Sequence, residues 1–336
     1  MKNFKPTMVF YEPEILQYPF GVELYERYKD QGLEFVKIQS HNRIPELSNR
    51  PNKDFPTMKT YLILGVRKSL TYKPNHKTSD YLVPFTSSGC SAMCLYCYLT
   101  CTYNKCAYFR LFVNRKQMVN KLIKTVKNSD RDLTLEIGSN SDLVLENTIT
   151  KNLEWVIPNF AKAERGYITL PTKFHMVEPL LDLDHRGRCI IRMSVNPQSI
   201  ISNIELGTSN LKMRIKALNQ LAEAGYKVGI LIAPIIMVEN WEEEYDELVS
   251  ILADSLSEKV KEQVFFELIF LTYGYVQRMI NADAFPHLPP LYSKEKMVGR
   301  GRGKYTYKPA LKDAGGEYMR HVMMRYFPEN EIVYIV

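Results

Sequence analysis

From Tyr81 onward short β-rich runs alternate with amphipathic helical runs, nearly every β-rich run ends in a short polar loop, and the strands so defined number about six. Alternation of this kind implies parallel strands joined by right-handed crossovers. About six βα units are too few to close an eight-stranded barrel. The sequence therefore predicts an α/β fold: a partial, TIM-like (β/α)6 barrel, with a small N-terminal α/β layer and a C-terminal hairpin plus helix. The expected division is 1–80 for the N-terminal region packed on the barrel, 81–270 for the barrel, and 271–336 for the C-terminal region. The 336 residues, 45% of them hydrophobic, suffice for a buried core of this size.

The elements follow in order. Met8–Tyr11 is a short β-rich run, Pro13–Tyr28 reads as a helix with its charges on one side, and residues 33–38 and 60–66 read as strands. Residues 81–85 form the expected first barrel strand, and a cysteine-rich loop leaves its C-terminal end. Asn114 is placed as the cap of a helix whose Met118, Leu122, Ile123 and Val126 fall at helical spacing. Strands are then expected at 133–137, 167–170, 189–195, 227–233 and 265–269. Polar residues collect at their ends: Gly138-Ser-Asn-Ser-Asp142, Pro171-Thr-Lys173, and Ser194 with Asn196. Leu211, Ile215, Leu218 and Leu221 mark the inner face of one helix. Trp241-Glu-Glu-Glu244 opens another, with acidic residues where the helix dipole favours them. Active sites of such sheets lie at the C-terminal strand ends, where these polar loops are.

Charge and cysteine usage narrow the class. The formal net charge of +7 permits an anionic partner without demanding one. Lys and Arg crowd into residues 110–127 and 294–308. Five of the six cysteines lie between residues 90 and 106, unlike a secreted disulfide framework. The N-terminus has no apolar leader, and no stretch approaches the roughly eighteen apolar residues of a membrane span. A cytoplasmic protein with no membrane partner is expected.

The chemistry centres on Cys90, Cys94 and Cys97, spaced C-x3-C-x2-C on one tight loop. Three thiolates so placed hold three irons of a [4Fe–4S] cluster, where four cysteines are the norm, leaving one iron open to chelate a ligand. This spacing is the signature of radical S-adenosylmethionine (SAM) enzymes. The alternative is structural zinc, which usually takes two knuckles separated by a longer loop. Cys101 is a possible fourth ligand that would close the open iron.

A co-linear series extends the likeness. It includes Tyr11-Glu-Pro-Glu14 with Tyr18-Pro-Phe-Gly21, Cys94-Leu-Tyr-Cys-Tyr-Leu99, Ser141-Asp142, Thr172-Lys173, and Leu181-Asp-Leu-Asp-His-Arg-Gly187. Ser194-Val-Asn196, Ala224-Gly-Tyr-Lys-Val-Gly229 with Ala233-Pro-Ile235, Phe266-Glu-Leu-Ile269 and Gly303-Lys-Tyr-Thr-Tyr307 continue it. These residues resemble the spore photoproduct lyase family, radical SAM enzymes that repair a methylene-bridged thymine dimer in spore DNA. The resemblance implies that Cys90, Cys94 and Cys97 bind the cluster and that the backbone at Tyr98 meets the adenine of SAM. It implies further that Ser141, Lys173, Ser194, Asn196 and Ala233 line the rest of the SAM pocket. It also implies UV-damaged DNA as substrate and an external one-electron reductant such as flavodoxin or ferredoxin.

In the family a 5′-deoxyadenosyl radical takes hydrogen from the lesion, a cysteine returns one, and tyrosines next to the cluster loop restore the cofactor. Tyr96 and Tyr98 match those tyrosines. The family's Glu-x-x-Cys-Thr-Ser-Asp reads Glu136-Ile-Gly-Ser139-Asn-Ser-Asp142 here, with Ser139 in the donor's place. An alkyl hydroxyl holds hydrogen too tightly to quench a carbon radical. Either Cys101 or Cys106 has taken over as donor, the two being small core side chains otherwise, or the reaction differs; Ser139 is natural or an engineered replacement. In the C-terminal hairpin, Arg300, Arg302, Lys304 and Tyr305 match the family's DNA-contacting residues, but an aromatic wedge is missing between Arg300 and Gly301. Other readings are a diverged radical SAM paralogue with another substrate, and a non-catalytic DNA-binding protein retaining a structural cluster. No phosphate-binding loop, nucleophile elbow or zinc-protease helix motif is found.

Overall fold

The computed structural model describes residues 4–102 and 108–336. Cys106 lies outside the described residues. The main sheet has eight strands, ordered Ile332–Ile335, Phe265–Phe270, Lys227–Ile235, Cys189–Val195, Tyr167–Thr172, Thr134–Glu136, Tyr81–Leu82 and Lys73–Pro74. Every neighbouring pair is parallel except the last, which is antiparallel. Curled into a half-barrel, this sheet is the partial α/β barrel that the alternation predicts, with the six expected strands in its middle. The two outer strands were not anticipated. Lys73–Pro74 precedes the first barrel strand, and Ile332–Ile335 follows the long C-terminal helix Pro309–Tyr326.

The central strands show why the pattern was readable. All seven residues of Cys189–Val195 are buried, as a parallel strand covered on both faces requires. Cys189 is core, as expected. Outside it packs the Leu211–Glu223 helix, whose Leu211, Ile215, Leu218 and Leu221 are buried as its periodicity predicts. Inside, a polar plug crosses the barrel. Arg192 pairs with Glu136 at 2.5 Å and Glu267 at 2.8 Å, and its Nε donates to Thr169 Oγ1 at 3.0 Å. The Tyr334 hydroxyl, from the last strand, also donates to Glu267. Ser194, two residues beyond Arg192 and so on the same strand face, begins the layer above this plug.

A five-stranded sheet forms the N-terminal layer, with Met8–Tyr11 between Glu34–Lys37 and Tyr61–Gly65, followed by Phe109–Phe112 and Ser87–Ser88. It thus takes two strands from beyond residue 80. Glu12 explains part of the Tyr11-Glu-Pro-Glu14 motif: its buried carboxylate accepts from His41 N at 2.7 Å, His41 Nδ1 at 2.8 Å and Val66 N at 2.9 Å. Burial alone would raise its pKa, but these donors, His41 foremost, hold it below the usual carboxylate range.

Three sequence expectations change. The run 13–28 is a 3₁₀ turn, Pro13–Gln17, and a separate helix, Pro19–Lys29. Tyr18 is extended because a residue before proline avoids the helical region. Gly21 is then required, since a Cβ there would sit 2.0 Å from the Ile15 carbonyl oxygen. The first barrel strand covers only Tyr81–Leu82, stopping short of Pro84. Asn114 occupies the cap position of the Arg115–Lys127 helix without capping it. Its side chain instead accepts from Arg67 N at 3.0 Å and donates to Arg67 O at 2.9 Å.

A three-stranded antiparallel sheet completes the fold, with Lys304–Tyr307 between Thr272–Gly274 and Met297–Gly301. Its hairpin turns at Arg302 and Gly303, whose φ angles of 50° and 69° match the two-residue turn favoured by strand twist. No described helix is long and apolar enough to cross a membrane.

Candidate active site

The cysteine loop crosses the C-terminal ends of the barrel strands and is tied down from every side. Before it, Ser87 and Thr86 donate to the buried Glu146 carboxylate at 2.5 and 2.9 Å. Gly89 N donates to Asn140 O at 2.8 Å, and Ser141 Oγ donates to Gly89 O at 2.8 Å. Within the loop, Met93–Cys94 pairs antiparallel with Glu205–Leu206. The Tyr275–Ala284 helix adds Gln277, donating to Tyr96 O at 2.5 Å, and Asn281, donating to Leu95 O at 2.8 Å.

Asp142 shows why Ser141-Asp142 and Thr172-Lys173 belong together. It caps the Leu143–Thr150 helix by accepting from Val144 N and Leu145 N, both at 3.1 Å. The same carboxylate accepts from Thr172 Oγ1 at 2.9 Å and from Lys173 N at 2.9 Å. One loop is thereby locked to the next strand end, which directs Lys173 across the barrel mouth.

The result is a cavity of about 380 Å³ at the barrel mouth. Cys90, Cys94 and Cys97 line one wall; Tyr96, Tyr98, Ser139, Ser141, Lys173, Ser194 and Ala233 line the others. Nearly all residues expected around the cluster and SAM meet here. The exception is Asn196, which is fully buried. Its Nδ2 donates to Glu205 Oε1 at 2.8 Å and its Oδ1 accepts from the Tyr245 hydroxyl at 2.8 Å. It stands behind Lys173, not on the cavity wall.

Lys173 is the charged centre of the wall. Its ammonium donates to Ser194 Oγ at 2.5 Å, Glu205 Oε1 at 2.9 Å and Ala233 O at 2.9 Å. Glu205 also accepts from the Tyr96 hydroxyl and, at 2.6 Å, from Arg214. Burial would raise the Glu205 pKa, but Lys173 and Arg214 beside it bring the carboxyl down to about 2. Burial first, and then the Glu205 charge, pushes the Tyr96 phenol well above its ordinary value.

Glu205 and Arg214 were missed in the sequence. Arg214 carried the readable signal: it falls three residues after Leu211 and four before Leu218, on the apolar stripe, and a charge at such a position needs a buried partner. Glu205 lies on a two-residue strand with no periodic signal.

The donor set suits an iron–sulfur cluster. Burial raises the Cys90 thiol to about 12 and the Cys94 thiol further, so thiolates there call for cationic metal. Buried Lys59 is one local cation that opposes the rise at Cys90. Among the described residues no group of His, Cys, Asp or Glu is arranged to hold a single metal ion.

A second cavity, of about 990 Å³, lies against the first. Tyr98 and Thr272 line both. Cys101 lines only the second, with its sulfur against Gly274, where a Cβ would lie 2.6 Å from it. Arg300, Arg302 and Lys304 stand at the edge of this cavity; they are exposed and pair with no acidic group among the described residues. Tyr305 is half-buried, its ring edge-on to Tyr292 at 4.7 Å between centroids. Tyr98 is 54% exposed, and its hydroxyl donates to the Ser139 carbonyl.

The family model for spore photoproduct lyase matches residues 4–336. The chain is 33% identical to the spore photoproduct lyase of Bacillus subtilis (strain 168), over 99% of both chains. It is 32% identical to that of Geobacillus sp. (strain Y412MC61), again over 99% of both. A solved spore photoproduct lyase variant, with bound AdoMet and dinucleoside spore photoproduct, superposes with a TM-score of 0.91 at 29% identity over 100% of both chains.

Proposed function

The chain belongs to the spore photoproduct lyase family, and on that premise we propose how its own residues perform the repair. It is a radical SAM enzyme of DNA repair that acts on the spore photoproduct thymine dimer. The observation that carries the residue assignment is the single cavity collecting three cysteines, Lys173 and the polar strand ends.

Cys90, Cys94 and Cys97 hold a [4Fe–4S] cluster. Lys173 takes the carboxylate of SAM, as a half-buried, hydrogen-bonded ammonium suits, while Ser141, Ser194 and Ala233 line its remaining surface and backbone at Tyr98 meets the adenine. Asn196 acts from behind, through Glu205 and Tyr245. When bound, cluster and SAM together supply the 5′-deoxyadenosyl radical that abstracts hydrogen from the lesion.

The lesion occupies the larger cavity. Arg300, Arg302 and Lys304 contact DNA phosphates at its edge, fixing position without reading sequence. Half-buried Tyr305, its ring edge-on to Tyr292, supports the hairpin from outside the cavity lining. Ser139 replaces the family's donor cysteine, and Cys101, in the lesion cavity, supplies the hydrogen in its stead. Its S–H bond breaks as a C–H bond forms on the substrate radical. Tyr98 returns a hydrogen to the sulfur and takes one from Tyr96, which recovers one from 5′-deoxyadenosine, so atoms balance over the cycle. Tyr96, its hydroxyl fixed on Glu205, stands next in that relay. The reductant that starts each cycle is external.

The test is product analysis by mass spectrometry, after anaerobic cluster reconstitution with SAM, reductant and dinucleoside spore photoproduct. Intact thymidine dinucleotide is expected from the native protein, and abortive adducts from Cys101→Ala. Unchanged products from Cys101→Ala would dismiss Cys101 as donor, and an untouched lesion in the native reaction would sink the residue assignment.

A further inference from the structure

The buried cluster behind the SAM cavity carries an unbalanced charge. Glu205, with 0% of its side chain exposed, is shared by two cations, Lys173 at 2.9 Å and Arg214 at 2.6 Å. Within this trio, two positive groups and one negative leave a surplus of one positive charge. The nearby Asp142 carboxylate, also on the cavity wall, is held by Lys173 N at 2.9 Å, Thr172 Oγ1 at 2.9 Å and the N–H groups of Val144 and Leu145, and stays outside the Lys173 ammonium's hydrogen bonds. Arg214 cannot present it, because its side chain is also 0% exposed and its N–H groups are engaged. They donate to Ser209 O at 2.8 Å, Ser194 O at 2.9 Å, Thr208 Oγ1 at 2.7 Å and Glu205. Lys173, 20% exposed, is the one member of the trio that lines the cavity. The surplus therefore meets the ligand through Lys173. Uncompensated charge in a poorly solvated site is costly, so an anion is favoured there.

We propose that Arg214, from outside the cavity, sets the net positive charge with which Lys173 meets the SAM carboxylate, while Glu205 fixes the ammonium in place. Without Arg214, Glu205 would neutralise Lys173 and the wall would lose its preference for an anion. The ammonium has three donors and three acceptors in this arrangement. A ligand carboxylate replaces one of the neutral acceptors, Ser194 Oγ or Ala233 O, and Glu205 keeps its hold. Both Glu205 and Arg214 are positioning residues: neither lines the cavity.

This inference rests on the reading of Lys173 as the carboxylate partner of SAM, and its test separates the two. Dissociation constants for SAM and for decarboxylated SAM are measured by calorimetry on the cluster-reconstituted protein without reductant, so that no turnover occurs. The readout is the preference for SAM over its decarboxylated analogue within each protein, which cancels a general loss of fit. Arg214→Gln is expected to lower that preference about tenfold. Arg214→Lys, which keeps the charge, retains it, and Glu205→Gln, which leaves two positive charges, raises it. Should Arg214→Gln not fold, the opposite directions expected of the other two substitutions still decide the matter. A preference unchanged by Glu205→Gln, or lowered by it, overturns the role of the surplus charge. Native protein that binds both ligands equally overturns the Lys173 reading itself.

Discussion

The Lys173 cluster and the 299–304 hairpin turn are both basic, yet they are built in opposite ways. Around Lys173, itself half-buried, the partner charges are buried and every one is hydrogen-bonded to a fixed partner. On the hairpin, Arg300, Arg302 and Lys304 are exposed and have no acidic partner among the described residues. Buried, paired charges are poised at one geometry and suit a small ligand with a single carboxylate. Solvated charges on a two-residue turn suit a polyanion, whose binding gains from release of counterions and tolerates imprecision. One region selects by position and the other attracts by charge.

The comparison breaks most completely if the cysteine wall is removed. Cys94→Ala is expected to drop repair to background, with loss of cluster iron and its visible absorption, measured on reconstituted protein; full activity without the cluster would refute the placement of the chemistry in the inner cavity.

Next comes Glu205→Ala, which leaves Lys173 and Arg214 facing each other without their shared anion. Breaking a buried pair in this way costs about 3–5 kcal/mol, to be read as a lowered urea midpoint. A cost under about 1 kcal/mol would mean that the cluster behaves like a surface pair.

Glu12 is a milder case of the same construction. Its pKa is depressed in the fold, so the unfolded chain binds more protons, and its stabilisation is complete above the ordinary carboxylate range near about 4.3. That contribution fades as the pH falls below this range. Glu12→Gln should lower stability at pH 7 by about 1–3 kcal/mol and flatten this acid-side slope in urea titrations. An unaltered slope would show the carboxylate to be silent.

Hairpin substitutions sharpen the other side. Arg302→Ala is expected to weaken binding of damaged duplex only several-fold and to reduce the slope of log affinity against log salt by about one. An unchanged slope would take Arg302 off the phosphate backbone. The smallest effect is expected of Ser139→Cys in a Cys101→Ala background, where a thiol placed in the inner cavity should restore part of the intact product.

How much of this was legible in the sequence follows from the same contrast. The cysteine run, Lys173 and Ser194 were readable because strand ends deliver them to one mouth, and the strands announce themselves through apolar runs. The basic crowding at 294–308 was readable from composition, and the hairpin that presents it came from the family resemblance. Glu205 was not readable, because a two-residue strand paired to the cluster loop leaves no pattern. Asn196 was placed on its strand end, but its burial behind Lys173 was not readable, since its partners Glu205 and Tyr245 come from other elements. Ile332–Ile335 was overlooked because a half-buried edge strand of four residues carries little periodic signal.

The measurement that bears most directly on the pairing of the two cavities follows one hydrogen between them. Spore photoproduct deuterated on its thymine ring is incubated with reconstituted protein, SAM and reductant, and the adenosyl group, in recovered SAM and in any 5′-deoxyadenosine released, is weighed by mass spectrometry. Deuterium in the adenosyl group of recovered SAM, alongside intact thymidine dinucleotide, is the predicted result, because the inner and outer cavities share a boundary at Tyr98 and Thr272. Unlabelled 5′-deoxyadenosine with the lesion untouched would contradict it.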